Sequence, residues 1–158
     1  MSTAVVAKVE HDFGPGMGSI PQYAVKIDGY VGLSAAASET VANYTVSPFG
    51  EDMIIMDAYM CITTEDAQNA DLDIGIADDA IATNAEDNIF NAPTNTAVAV
   101  LKGTVVPGVA GVARPIWKAL GASTNSFITA QQNGNVDASS LVYNLILICA
   151  PYSMFKAT

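Results

Sequence analysis

Hydrophobic and polar positions alternate along two neighbouring stretches of the chain. In the first stretch, from Met53 to Thr64, one set of alternate positions is apolar: Ile54, Met56, Ala58, Met60 and Ile62. The second stretch, from Asp71 to Ile76, alternates Leu and Ile with Asp and Gly. A period of two is typical of a strand with one buried face. The pattern predicts two half-buried β-strands whose acidic residues, Asp57 among them, are explained by the pleat.

The most hydrophobic segment, Leu141 to Ala150, is apolar on both faces. One face carries Leu141, Tyr143, Leu145, Leu147 and Cys149, and the other carries Val142, Ile146 and Ile148. Such a strand is central in its sheet or covered on both sides. Asn133-Gly134 is a strong hairpin signal, so we predict that this strand pairs with Ser126 to Gln132. A second hairpin is predicted from Val41 to Val46, through the turn at 47–52, into the strand that begins at Met53.

Around eight short strands with turn-rich links predict an all-β fold, a two-sheet sandwich of jelly-roll or Greek-key type. The length of 158 residues fits one domain with one core. Residues 10–21 combine three Gly with two Pro and disfavour regular structure. We therefore predict an extended N-terminal arm over 1–21 and a single β-sandwich domain over 22–158. No element is assigned to 107–123.

Composition narrows the classes of partner. Hydrophobic residues make up 51% of the chain and charged residues only 14%, so a disordered chain is excluded and the exterior suits crowded assembly. The formal charge of -10 disfavours nucleic acid and anionic membranes as partners. The longest apolar run is far shorter than the roughly 18 residues of a spanning helix. Without a secretion signal at the N-terminus, synthesis is expected in the cytoplasm.

The sequence offers little that is typical of catalysis or metal binding. His11 is the only histidine, and it lies beside the Gly/Pro-rich segment. The stretch that begins at Asp71 resembles a calcium loop only at its start. Asp78, Asp79, Glu86 and Asp87 are either solvated turn residues or ligands of a surface-loop cation. We expect no enzymatic activity, no cofactor and no metal. For Cys61 and Cys149, two buried free thiols are favoured over a disulfide.

A family resemblance rests on three segments and their order. These are the strand from Glu51 to Thr64, the strand from Ala70 to Ala77 followed by a long acidic loop, and the closing segments Ser126 to Ala130 and Leu141 to Cys149. Together they resemble the small jelly-roll decoration, or cement, proteins of tailed bacteriophage heads, over residues 41 to 150. The resemblance implies a structural role, in which trimers sit on capsid three-fold or quasi-three-fold points and clamp adjacent capsid subunits.

We accordingly expect a protein of the virion exterior that binds the major capsid protein and forms a homotrimer. In the arm, Phe13, Met17 and Ile20 are apolar side chains that a free, solvated tail has little reason to carry, so they are the predicted capsid contacts. Tyr59 and Tyr143 are the predicted trimer contacts.

Two other functions remain open at this point. A phage fibre or tail module would bind a host receptor or glycan through the loop from Ala77 to Thr96 and an exposed Trp117. A hydrolase would need Asp57 in a cleft beside a second rigid carboxylate.

Overall fold

The structure is a computed structural model that describes residues 3–4, 6–12, 20–32, 40–68, 71–77, 89–105, 115–119, 121, 126–133 and 139–155. These residues form strands and one short 3-10 helix, Tyr152–Phe155. The strands are β1 (Thr3–Ala4), β2 (Ala7–Asp12), β3 (Tyr23–Val31), β4 (Thr40–Val46), β5 (Met53–Thr64), β6 (Asp71–Ala77), β7 (Phe90–Asn91), β8 (Val100–Lys102), β9 (Ile116–Trp117), β10 (Phe127–Asn133) and β11 (Val142–Pro151). The all-β prediction is confirmed.

Eight of the strands have the order of a jelly roll. In the six-stranded sheet, β3, β11, β5 and β8 are successive neighbours, with β2 outside β3 and β9 pairing with β5. In the five-stranded sheet, β4, β10, β6 and β7 are successive neighbours, with β1 outside β4. Consecutive strands from β3 to β6 alternate between the sheets, and the last strand returns to lie between β3 and β5. This double-sheet arrangement confirms the predicted sandwich.

The two predicted hairpins are wrong, because each joins strands of different sheets. β10 pairs with β4 and β6, whereas β11 pairs with β3 and β5. Likewise β4 lies in the five-stranded sheet and β5 in the six-stranded sheet. A strong local turn signal favours a change of direction, but it does not decide which sheet receives the next strand.

The predicted boundary of the N-terminal arm also needs correction. β1 pairs in parallel with β4, and β2 pairs antiparallel with β3, so the first twelve residues supply an edge strand to each sheet. The arm predicted over 1–21 therefore does not include β1 and β2, which belong to the sandwich. Residues 13–19 lie outside the described residues.

A continuous hydrophobic core fills the space between the sheets. From β11 alone it takes Tyr143, Leu145, Leu147 and Cys149, all fully buried. Tyr143 packs edge-on against Tyr30 of β3, with ring centroids 5.5 Å apart and planes at 87°, a favourable aromatic geometry. The predicted central position of the last strand is confirmed, and of its two apolar faces the one that carries Tyr143 lies inside.

One polar contact ties the two sheets together inside this core. The Tyr30 hydroxyl donates to the Ile128 carbonyl of β10 at 3.2 Å and forms a 2.6 Å hydrogen bond with the Thr45 hydroxyl of β4. Burial raises the pKa of Tyr30 well above its usual value, although the hydrogen bond with Thr45 acts in the opposite direction. Tyr30 therefore stays neutral and satisfies polar groups of the opposite sheet that would otherwise be costly to bury.

Two of the register irregularities in the six-stranded sheet set which side chains face inward. In β5 the register shifts so that Ile148 lies opposite Asp57 and Cys149 opposite Ile55, with Met56 as the extra residue. The face predicted from Ile54 to Ile62 is therefore correct only from Ala58 onward, since Met53 and Ile55 are the fully buried residues before the bulge.

The second irregularity lies between β3 and β11. Gly29 adopts a φ of 74° and donates its N–H to the Asn144 side chain at 2.9 Å. This backbone conformation favours glycine.

Candidate interaction surface

The side of the six-stranded sheet that faces away from the core forms a broad, mixed surface, which we call the outer sheet face. It is defined by residues of four adjacent strands: Ala24, Lys26, Asp28 and Val31 of β3; Val142, Asn144, Ile146 and Ile148 of β11; Asp57, Tyr59, Cys61 and Thr63 of β5; and Val100 and Lys102 of β8. These strands are hydrogen-bonded neighbours, so the surface has a rigid backbone.

The centre of the outer sheet face is apolar. Ile146 and Ile148 lie on the central strand and are only half-buried, whereas the alternate residues of the same strand have no exposed area. Val31 and Val100 lie toward the margins and are 40% and 68% exposed. Neighbouring exposed apolar side chains on one rigid sheet are typical of surfaces that other molecules cover.

Backbone register places basic residues in one row across this sheet. Lys26 of β3 is opposite Ile146, Ile146 is opposite Tyr59, and Tyr59 is opposite Lys102 of β8. On the far side of β3, Lys8 is in register with Lys26. The row thus includes three of the six Lys and Arg residues of a strongly acidic chain.

Two members of that row, Tyr59 and Lys102, form a fixed polar cluster with Asp57. The Asp57 carboxylate lies 2.9 Å from the Lys102 ammonium and accepts hydrogen bonds from the Tyr59 hydroxyl at 3.1 Å and from the Ala58 N–H at 3.0 Å. The Lys102 ammonium lies 5.8 Å from the centre of the Tyr59 ring, within reach of a cation–π contact. The cluster therefore orients the Tyr59 side chain on the surface.

The pKa of Asp57 reflects the balance within the cluster. Burial by itself raises this pKa, but the hydrogen bonds from Lys102, Ala58 and Tyr59, together with the charge of Lys102, outweigh burial and bring the pKa below its usual value. The carboxylate is charged and paired at neutral pH. A general acid of a glycosidase needs a raised pKa, so the environment of Asp57 gives no support to a role as a catalytic acid.

Charges on the outer sheet face cancel. Lys26 pairs with Asp28 at 2.9 Å, just as Lys102 pairs with Asp57. Since these two pairs are neutral together, the net charge of -10 is carried by the rest of the chain. The face combines apolar and internally neutralised groups, a composition suited to burial against another protein.

The two cysteines occupy opposite sides of the same sheet. Cys149 of β11 is fully buried in the core, and this burial raises its pKa to about 12. Cys61 of β5 is half-buried on the outer sheet face, in register with Asn144. Both are free thiols. The prediction of free thiols is confirmed, but only Cys149 is buried as predicted.

The predicted contact residues fall in different places. Tyr59 lies on the outer sheet face, and its predicted role in a trimer contact stays a prediction. Tyr143 is fully buried against Tyr30, so its side chain offers no surface to another subunit, and this part of the prediction is corrected. Ile20 is exposed by 37%. Phe13 and Met17 lie outside the described residues.

The described residues give no support to the features considered for other functions. Trp117, predicted to be exposed, is fully buried and lies in β9 opposite Met53, so it provides no binding platform. Asp78, Asp79, Glu86 and Asp87 fall outside the described residues. Within the described ranges, His, Cys, Asp and Glu form no group of three or more that could hold a metal ion. The same ranges contain no helix long and apolar enough to cross a membrane.

Sequence reasoning overlooked Ile146, Ile148 and Lys102 as surface residues. The signal for the two isoleucines was present, because a strand with two apolar faces needs cover on both sides. Lys102 carried no local signal, since its contact with Asp57 joins strands that are distant in sequence. Its importance depends on the pairing of β8 with β5.

Comparison of the chain with models of known protein families, with curated proteins and with solved structures finds no match. The class of the protein is therefore defined by its fold and its surface. It is a two-sheet jelly-roll sandwich with one apolar, charge-balanced outer face.

Proposed function

We propose that this protein is a structural component of a phage virion, which binds the outside of the capsid as a homotrimer and cements adjacent capsid subunits. The observation that carries the proposal is the outer sheet face, a rigid surface of half-buried Ile146 and Ile148 with paired lysines and aspartates. Such a surface is suited to permanent protein contact. The jelly-roll order of the strands agrees with the family that the sequence resembles.

Two further features support a structural role. The rest of the chain carries the large negative charge, which suits attachment to a basic region of another protein. In addition, the described polar cluster at Asp57 holds its carboxylate in an ion pair and does not prepare it for proton transfer. The partner in this proposal is the major capsid protein, and the location is the capsid exterior.

Contact with the capsid is proposed to involve Phe13, Met17 and Ile20. Ile20 has exposed apolar area next to the start of β3. Burial of each of the three side chains against the capsid would contribute on the order of 1.5–3 kcal/mol before ordering costs. The segment would thus act as an apolar anchor beside the sandwich.

The principal test mixes purified protein with phage capsids that were assembled without it. The expected result is cosedimentation with saturable stoichiometry, and a map of the decorated particle with extra density at three-fold points. Protein that stays in the supernatant at micromolar concentration, or that binds without occupying the capsid exterior, would contradict the proposal.

The contact segment needs a test that leaves the sandwich intact. Deletion of residues 1–19 would remove β1 and β2, so a loss of capsid binding could result from a folding defect. A triple variant, Phe13→Ser, Met17→Ser and Ile20→Ser, keeps both strands. It is expected to fold and to oligomerise like the parent chain but to lose cosedimentation with capsids. Undiminished capsid binding would show that the anchor lies elsewhere.

A further inference from the structure

We propose that the outer sheet face is covered by a second copy of this chain, so that it forms the interface between subunits. The inference rests on the proposed homotrimer and specifies which surface builds it. Its centre is Ile146, Ile148 and Cys61, and its margins are Val31 and Val100. The charge of the face, its apolar content and its rigidity each favour this occupant.

Charge favours another copy of the chain as the occupant. Each copy carries -10, so two copies repel one another as whole molecules. On the outer sheet face the pairs Lys26–Asp28 and Lys102–Asp57 are neutral, and repulsion there is smallest. A basic partner would instead be attracted to the acidic remainder of the chain, which leaves this face for self-association.

The apolar residues of the face are placed as an interface requires. Ile146 and Ile148 occupy the central strand, and Cys61 lies on the neighbouring strand β5, opposite Asn144. Val100, on the short strand β8, is 68% exposed and extends the apolar area outward. Buried interface centres are depleted in unpaired charges and surrounded by polar groups. The ion pairs on β3, β5 and β8 supply such a surround.

The face is rigid before any partner arrives. Its central strand is hydrogen-bonded on both sides, and Tyr59 is positioned by Asp57 and Lys102. A preorganised aromatic side chain loses little conformational entropy on association. Because a trimer closes by repetition of one contact, a single face of this kind, together with the surface it meets on the next copy, is sufficient to close the ring.

The test compares two matched substitutions on opposite sheets. Ile146→Glu places a carboxylate at the centre of the outer sheet face. Val46→Glu places the same group on β4 of the other sheet, where Val46 is 39% exposed. Sedimentation equilibrium at micromolar concentration is expected to give an oligomer for the parent chain and for Val46→Glu, but a monomer for Ile146→Glu. A parent chain that is a monomer, or the reverse response of the two variants, would overturn the inference.

Cys61 provides an independent reading of the same surface. In the parent oligomer, its labelling by a maleimide is expected to be at least about tenfold slower than in Ile146→Glu, since an interface side chain is shielded from solvent. Cys149 serves as the internal control because it is buried in every folded form. An oligomer whose Cys61 is labelled as fast as in the monomeric variant would contradict the inference.

A second variant tests the same interface in case Ile146→Glu does not fold. Val100→Glu changes a side chain that is already largely in water, so the sandwich is expected to fold normally. Like Ile146→Glu, it should weaken the association of subunits. A folded Val100→Glu protein with unchanged association, in combination with a misfolded Ile146→Glu protein, would count against the inference.

The capsid experiment separates this inference from the proposed function. If Cys61 is protected from the maleimide in the free oligomer but the protein binds no capsid, the inferred interface is supported and the virion role is contradicted. If the maleimide labels Cys61 rapidly in the free oligomer and slowly only on capsids, the virion role is supported. The outer sheet face then belongs to the capsid contact and not to the interface between subunits.

Discussion

The inner and outer faces of the six-stranded sheet are built from the same strands but have different physical roles. On β11 the inward side chains, such as Leu147, have no exposed area, while the outward Ile146 and Ile148 are half-buried. The inner face is closed by the second sheet, whereas no strand among the described residues packs over the apolar centre of the outer face. Apolar content alone therefore does not distinguish core from interface, because the difference lies in what packs against each face.

Polar groups follow the same division. On the inner face, Tyr30 makes a buried hydrogen bond with Thr45 of the opposite sheet. On the outer face, Asp57 and Lys102 form an ion pair that remains in contact with water, with 27% and 64% of their side chains exposed. Buried polar contacts are costly to break, whereas exposed ion pairs contribute little. Substitutions on the inner face should therefore change the free energy of unfolding by more than substitutions on the outer face.

The largest expected difference is in thiol reactivity. In the monomeric Ile146→Glu protein, a maleimide at pH 8 should label Cys61 on the order of 100-fold or more faster than Cys149, whose burial raises its pKa to about 12 and blocks access. Mass spectrometry of each cysteine peptide measures both rates. In urea the two rates should converge. Similar rates in the folded protein would mean that the inner face is open to solvent.

Next in size is the response to truncation of neighbouring residues on β11. Leu147→Ala should lower the free energy of unfolding by about 2–5 kcal/mol because it leaves a cavity in the core. Ile148→Ala, on the outer face, should cost about 1 kcal/mol or less in dilute protein. Urea unfolding followed by the fluorescence of the buried Trp117 measures both values. Equal losses would remove the distinction between the faces.

A smaller effect is expected at the polar contact between the sheets. Tyr30→Phe should reduce the free energy of unfolding by about 1–3 kcal/mol, because the Thr45 hydroxyl and the Ile128 carbonyl lose a buried partner. Tyr44→Phe is the matched control, since Tyr44 is only half-buried and its ring packs against Phe127. Loss of stability in the control but not at Tyr30 would contradict the assignment of this contact.

The smallest effect concerns the pH dependence of the outer face. The pKa of Asp57 lies below its ordinary value of 3.8 in the folded protein, so its pairing stabilises the fold above that pH, and the contribution is lost as the pH falls through the folded value. Asp57→Asn should therefore lose less stability than the parent chain between pH 7 and pH 3, by under about 1 kcal/mol. Urea midpoints at both pH values measure this.

Asp28→Asn controls for the general effect of removing one carboxylate, because it disrupts the other ion pair of the same face. If the two variants respond identically to pH, the cluster of Asp57, Tyr59 and Lys102 has no special contribution.

Much of the fold was predictable from local pattern. The strands at Met53–Thr64 and Asp71–Ala77 were predicted because apolar and polar side chains alternate, and the strand at Val142–Pro151 was predicted because both of its faces are apolar. The candidate surface was less accessible to prediction. Tyr59 was identified from its position on a polar face, but Tyr143 was assigned to the surface although it follows the inward alternation of β11.

The sequence by itself determined the strands with a clear apolar pattern, β5, β6 and β11, and the alternation of their faces away from the bulge, since the period of two is a property of the backbone. Only the tertiary structure decided that β10 and β11 lie in different sheets, that Met56 forms a bulge, and that Lys102 meets Asp57. It also decided which apolar face of β11 is inside. The physical reason is that strand pairing depends on distant segments burying one another's apolar faces, and no local pattern records those partners.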